Sequence, residues 1–339
     1  MSKELKYVVV QPDDTYYTWQ VHMWLESLKN RGDSDKAIVL IFTPNYREVN
    51  QNWKQVIDLY PETEFHFYKD EHDVSQLLGI YIPVLRPYTL WRHWKEHPEL
   101  SDKAIFYCDS DVLFTQHFNV DKYIDDDVCY VSDTHSYISA SYFDSKVKDV
   151  LPEKLEEYKT RDVLAEISSV IGISREEAVE RDKDSGGAQY LLKNIDAAFW
   201  NKVMNDCILI RSYLQRINKE FFESEERGFQ SWCADMWAVL WNLWVKEKEV
   251  KVIDEMGFSW APDPITKLET HPILHNAGIV GIRMDNYSCF YKGKYHAGGD
   301  PTKDEHLDVV LNDENSKPRC TWYYANELKK LSNKYNLNY

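Results

Sequence analysis

Several things are missing from this sequence, and each absence removes a class of protein. No apolar run approaches the roughly 18–20 residues that span a bilayer, and the opening MSKELKYVVV is too short and too quickly strand-like for a secretory signal. The cysteines (Cys108, Cys129, Cys207, Cys233, Cys289 and Cys320) form no CxxC pair and no regular spacing. That excludes a zinc framework and a secreted disulfide scaffold, and leaves scattered buried thiols in a reducing compartment as the expectation. Basic residues are in deficit, with Lys plus Arg at 40 against 56 Asp plus Glu and a formal net charge of −16. Phosphate binding needs a surplus of Lys and Arg, so non-specific nucleic-acid binding is disfavoured, although a local basic groove is still compatible with the total. There is no internal repeat, low-complexity linker, dinucleotide fingerprint or P-loop. A soluble, cytoplasmic-type globular protein with no membrane partner is expected.

The 339 residues, 43% of them hydrophobic, suffice for a sizeable core, and we expect a single domain over 1–339. Aromatic residues make up 14% of the chain. Such chains often stack on sugars or bases, and a plain aromatic core is the alternative.

The first half alternates strand and helix. Strands are expected at 6–10, 37–43, 64–68, 104–108 and 128–132, with helices from about Trp19 to Lys29, over 52–59, and from Pro87 to Glu96. This order predicts an α/β fold: a mostly parallel sheet, Rossmann-like, with helices on both faces and polar clusters at the carboxyl ends of the strands. Gln11-Pro12-Asp13-Asp14 and Asp109-Ser110-Asp111 occupy such positions. Residues 145–183 are charged and helix-prone and read as a helical insertion. Further helices are expected at about 188–194 behind Gly186-Gly187, at 198–222 and at 230–246, followed from 271 to 339 by a loop-rich tail.

Five constellations carry chemistry. Asp109 and Asp111, one residue apart at a strand end, are able to face one hard cation such as Mg²⁺ or Mn²⁺; turns and helix caps also use Asp. His275 offers an imidazole to complete such a set, against the plainer reading of a hydrogen-bonded loop histidine. Gly278 and Gly293 fit a loop that approaches a ligand closely. Lys292 and Lys294 flank Gly293 and suit phosphate oxygens, unless they mark a solvated turn. Ser185-Gly186-Gly187-Ala188-Gln189 reads as a helix start whose N–H groups face a ligand, or as a plain helix N-terminus. Asp235, among Trp232, Trp237, Trp241 and Trp244, is an acid in apolar company. It orients an acceptor hydroxyl, acts as a base, steadies a sugar, or lies on a solvated helix face.

Together these residues resemble a GT-A type glycosyltransferase, and more narrowly the plant and algal hydroxyproline O-arabinosyltransferase and peptidyl-serine galactosyltransferase group. Tyr17-Thr18-Trp19-Gln20, Arg86-Pro87 with Trp91, the acidic strand end, Asp235-Met236, His275 and Lys292-Gly293-Lys294 carry the resemblance in that order. It implies a UDP-sugar donor, carrying a pentose such as arabinose or a hexose, and Mn²⁺ or Mg²⁺ held by Asp109, Asp111 and His275. Gln11, Thr18, Trp19, Gln20 and Ser110 then line the nucleotide pocket, and Arg86, Lys292 and Lys294 neutralise phosphates. Gly186 and Gly187 lie near the transferred sugar, Gln189 and Asp235 are catalytic, the tail from 271 closes the donor site, and transfer proceeds with retention.

The chain is expected to depart from that group in lacking an anchor, and it has a DSD where relatives can carry a Glu-Pro-Asp arrangement and the charged insertion at 145–183. These departures are compatible with virus-encoded enzymes that glycosylate hydroxymethylated pyrimidines. They make hydroxymethylcytosine in DNA the leading acceptor, with a glycan or protein hydroxyl as the alternative. A non-catalytic nucleotide-sugar binding module and a metal-dependent phosphotransferase or nuclease are the competing classes.

Overall fold

A computed structural model describes residues 3–44, 48–71, 74, 81–278, 283–284, 286–335 and 339; the remaining parts of the 271–339 tail lie outside the described residues. The strands are β1 (Leu5–Pro12), β2 (Ala37–Thr43), β3 (Glu64–Lys69), β4 (Ala104–Tyr107), β5 (Val112–Phe114), β6 (Cys129–Asp133), β7 (Gly186–Lys193), β8 (Val250–Val252), β9 (Phe258–Trp260) and β10 (Ile273–His275). The longer helices are α1 (Thr15–Lys29), α2 (Asn52–Leu59), α3 (Leu85–Glu96), α4 (Val163–Ile171), α5 (Arg175–Glu180), α6 (Ala197–Phe221), α7 (Ala234–Val245), α8 (Glu305–Asn312) and α9 (Cys320–Tyr335).

Among the described residues, seven strands form one mostly parallel sheet in the order β3-β2-β1-β4-β7-β6-β8, and β5-β10-β9 form a second, smaller sheet. β1 runs parallel to β2, and β2 to β3, in continuous register. Every residue of β2 is buried, as befits a continuous apolar run inside a parallel sheet. β7 runs antiparallel to β6.

The chain divides into two compact units. One comprises Leu5–Glu71, Phe106–Lys122 and Asp254–Tyr339. Its core packs Trp19 and Met23 of α1 against Leu113, Leu274, Phe290, Tyr324 and Leu328. The other comprises Met1–Glu4, His72–Ile105 and Tyr123–Ile253. There Trp94 of α3 donates its indole N–H to the carbonyl of Ile195 at 2.8 Å, and Trp237 of α7 donates to that of Ile138 at 2.7 Å. No helix among the described residues is long and apolar enough to cross a membrane. All six cysteines are free thiols, five of them buried.

Three expected elements differ. α1 begins at Thr15, four residues before Trp19, because the Asp14 carboxylate caps it by accepting from the Tyr16 N–H at 2.9 Å. α3 begins at Leu85 rather than Pro87, behind a 3₁₀ turn at Ile82–Val84. Most consequentially, Gly186-Gly187 opens strand β7, not a helix. A Cβ on Gly186 would lie 2.5 Å from the carbonyl oxygen of Ser132 and from Cγ2 of Val131. Gly186 therefore answers the close approach of β6 rather than a helix N-terminus. The tail is less loop-rich than expected, since it contains α8 and α9.

Candidate active site

The buried run of β4 ends at Tyr107, and the chain passes through Asp109-Ser110-Asp111 into β5. β5 pairs antiparallel with β10, with His275 opposite Val112, and the Asn276 N–H donates to the Asp111 carbonyl at 3.0 Å. This register carries His275 across 164 residues of sequence to the acidic strand end. Its Nε2 lies 3.4 Å from Oδ1 of Asp111 and 3.9 Å from Oδ2 of Asp109. The Trp260 ring backs the imidazole at 5.3 Å between centroids. Asp111 and His275 are buried, whereas the Asp109 side chain keeps 24% of its surface exposed. The triad thus has one side open to solvent.

Lys292 closes the other side through an ion pair with Oδ2 of Asp111. Its stem passes over Gly278, where a Cβ would meet Lys292 Cε at 3.1 Å and the backbone has φ of +72°. A glycine is needed there both for its conformation and for its missing side chain. Burial pushes the Asp111 carboxyl up, but the Lys292 ammonium and the His275 imidazole outweigh it and hold the group well below the usual carboxylate range.

The donor set suits a hard divalent ion. One oxygen or nitrogen from each of Asp109, Asp111 and His275 lies within 4.8 Å of the others. Oδ1 of Asp111 is buried and, among the described residues, has no well-formed hydrogen bond, the His275 imidazole standing 3.4 Å away, a costly state that a cation facing it relieves. Two carboxylates and an imidazole fit Mn²⁺ or Mg²⁺.

The remaining predicted residues are dispersed. Lys294 pairs with Asp304 at 2.8 Å rather than with the triad. Ser110 is buried between the two acids. Gln11 is buried on β1 opposite Ile41. Thr18, Trp19 and Gln20 are buried in α1. Thr18 Oγ1 donates to the Asp14 carbonyl at 3.2 Å, Gln20 Nε2 donates to the Tyr16 carbonyl at 2.6 Å, and Trp19 is part of the apolar core. Asp13 serves structure, accepting from the Trp53 indole at 2.9 Å and from Thr43 Oγ1 at 3.2 Å.

In the other unit, Arg86 Nη1 donates to Asp235 Oδ2 at 3.2 Å. The Tyr81 hydroxyl accepts from the Asp235 N–H at 3.3 Å and donates to the Trp232 carbonyl at 2.9 Å, holding the start of α7. A Cβ on Gly187 would meet Met236 Cε at 3.0 Å, so this strand end lies beside Asp235-Met236. Between Gly187 and Tyr190 the register with β6 shifts, and Ala188 has φ of +65°. That is a β-bulge, with Gln189 fully buried in it.

Sequence reasoning missed Tyr16, Asn276, His296 and Tyr324. His296 stacks on Tyr16 at 4.0 Å. The Asp111 charge helps burial to raise the hydroxyl pKa of both Tyr16 and Tyr324, which places them around the acid. Only Asn276, directly after His275, had a signal to find.

No protein-family model matches the sequence, and no curated protein does. Solved structures with a similar trace include the bifunctional glycosyltransferase WbbM in its apo form, at 9% identity, TM-score 0.44, covering 94% of this chain and 51% of that one. The chain therefore spans about half of WbbM's length. They also include the galactosyltransferase LgtC in complex with donor and acceptor sugar analogues, at 12% identity, TM-score 0.46, covering 98% and 97%. Mouse xyloside xylosyltransferase 1, in its apo form, is similar at 11% identity, TM-score 0.37, covering 83% and 100%.

Proposed function

We propose that this protein is a GT-A type glycosyltransferase that uses a divalent metal and moves a sugar from a UDP-linked donor to an acceptor hydroxyl. The observation that carries this reading is the convergence of Asp109, the buried Asp111 and His275 on one point, with Lys292 beside Asp111, at the end of a buried strand. Asp109, Asp111 and His275 would hold Mn²⁺ or Mg²⁺, which when bound offsets the negative charge that gathers on a departing diphosphate. The chain's own share is electrostatic. Lys292 brings a positive charge to the same point, prearranged by Gly278, so little reorganisation accompanies bond breaking. Burial of Asp111 and His275 reduces water around that charge and strengthens its effect. The free thiols fit work in a reducing, cytoplasmic setting.

The test is UDP release across a panel of UDP-pentoses and UDP-hexoses with Mn²⁺ or EDTA. Wild type is expected to consume at least one donor only with metal. Asp111→Asn is expected to lose roughly 100-fold or more of that rate with its circular dichroism unchanged. A wild type inert toward the whole panel, or an Asn variant with the wild-type manganese titration, overturns the reading. With the donor known, DNA containing hydroxymethylcytosine, plain DNA, glycans and hydroxyl-bearing peptides decide the acceptor. The anomeric configuration of the product decides between retention and inversion.

A further inference from the structure

Helix α3 ends on a pair of histidines, His93 and His97, that no reading of the Asp109 site uses. His97 caps the helix, its N–H donating to the His93 carbonyl at 2.8 Å. Residues four apart share one face of a helix. Here the ring centroids lie 4.4 Å apart with 41° between planes, and each ring offers a nitrogen within 4.8 Å of the other's. His93 is 1% exposed, on a helix whose other buried residues are Pro87, Tyr88, Thr89, Leu90 and Trp94. The His97 side chain is 34% exposed, and its Nδ1 lies 3.3 Å from Oε1 of Glu99. A carboxylate accepts, so this contact suits the neutral ring with its proton on Nδ1 and its lone pair on Nε2. A carboxylate on the far nitrogen is the arrangement that orients a metal-binding imidazole and raises its basicity.

We propose that His93 and His97 form a second metal site, for a borderline cation such as Zn²⁺, with Glu99 as the group that positions His97. The chemistry differs from that of the Asp109 site. A pair of imidazole nitrogens favours Zn²⁺, whereas two carboxylates with a single imidazole make the Asp109 site the harder of the two. A tetrahedral ion with Zn–N bonds of about 2.1 Å asks for nitrogens roughly 3.4 Å apart. The partly exposed His97 reaches that spacing by side-chain rotation while buried His93 stays in place. Water or a further protein ligand completes the coordination.

The test uses the full chain, stripped with EDTA and held at pH 7.5 with excess Mg²⁺ to occupy the carboxylate site. Zn²⁺ is titrated by calorimetry, and Co²⁺ replaces it to read the visible absorption of tetrahedral nitrogen ligation. Wild type is expected to bind one Zn²⁺ and to show the Co²⁺ band. His97→Gln, at the partly exposed position, is expected to weaken Zn²⁺ at least tenfold and abolish the band. Glu99→Gln is expected to fall between the two, and Asp111→Asn to bind Zn²⁺ like wild type. No zinc binding in wild type, or unchanged binding in a folded His97→Gln, overturns the site. Neither result bears on UDP release, so the two readings fail independently.

Discussion

Asp235 and Arg86 form a pair whose side chains are 13% and 22% exposed, so the carboxylate keeps a fixed direction. If Asp235 serves the reaction, Asp235→Asn keeps UDP binding and loses transfer by about 100-fold, the scale of a displaced acid or base. Isothermal titration with UDP beside a turnover assay separates the two. Unchanged turnover removes the assignment. His22 carries a different prediction. Its ring is buried, with Nδ1 2.6 Å from the Tyr339 hydroxyl, and burial lowers its pKa from 6.5 to about 3. The unfolded chain therefore takes up a proton first as pH falls. The stability His22 confers is complete above its ordinary pKa and drains away as pH drops toward the folded value. The slope from this one group is about 1.4 kcal/mol per pH unit between roughly pH 6 and 4. Urea unfolding across that range is expected to show a flatter profile for His22→Gln than for wild type.

The β6–β7 pair shows how two glycines side by side differ. At Gly186 the added carbon meets backbone, the Ser132 carbonyl, and neither strand has room to yield. Gly186→Ala is expected to cost about 1–3 kcal/mol. At Gly187 the neighbours are the Tyr190 hydroxyl and the Met236 methyl, ends of side chains that swing aside, so Gly187→Ala is expected to cost less. Urea unfolding of both variants checks the order. The same strand shows where the sequence stops being readable. Ala188, Gln189, Leu191, Leu192 and Lys193 are all comfortable in a helix, and their place in the sheet between β4 and β6 makes them a strand. The runs 37–43 and 104–107 were legible because they are continuously apolar. α9 was also within reach: Cys320, Tyr324, Ala325, Leu328 and Leu331 form its buried stripe at helical spacing. Its polar surroundings hid it. In the candidate site Asp109, Asp111 and His275 were legible by type and position. The Lys292–Asp111 pair joins residues 181 apart in sequence, and no local pattern encodes which of two neighbouring lysines turns inward.

For the molecule as a whole, the net charge of −16 keeps copies apart in solution and concentrates cations near the surface. Charge alone does not guard the rims of the main sheet, where β3 and β8 are the terminal strands among the described residues. An outermost strand offers unpaired backbone groups to any neighbour. β8 is only three residues long. β3 is six residues long and begins with Glu64 and ends with Lys69, both exposed. Those two charges act as gatekeepers against polymerisation. Replacing both with threonine is expected to leave the fold intact yet raise light scattering at high concentration. Equal scattering from the double variant and wild type would show that β3 is protected by something else.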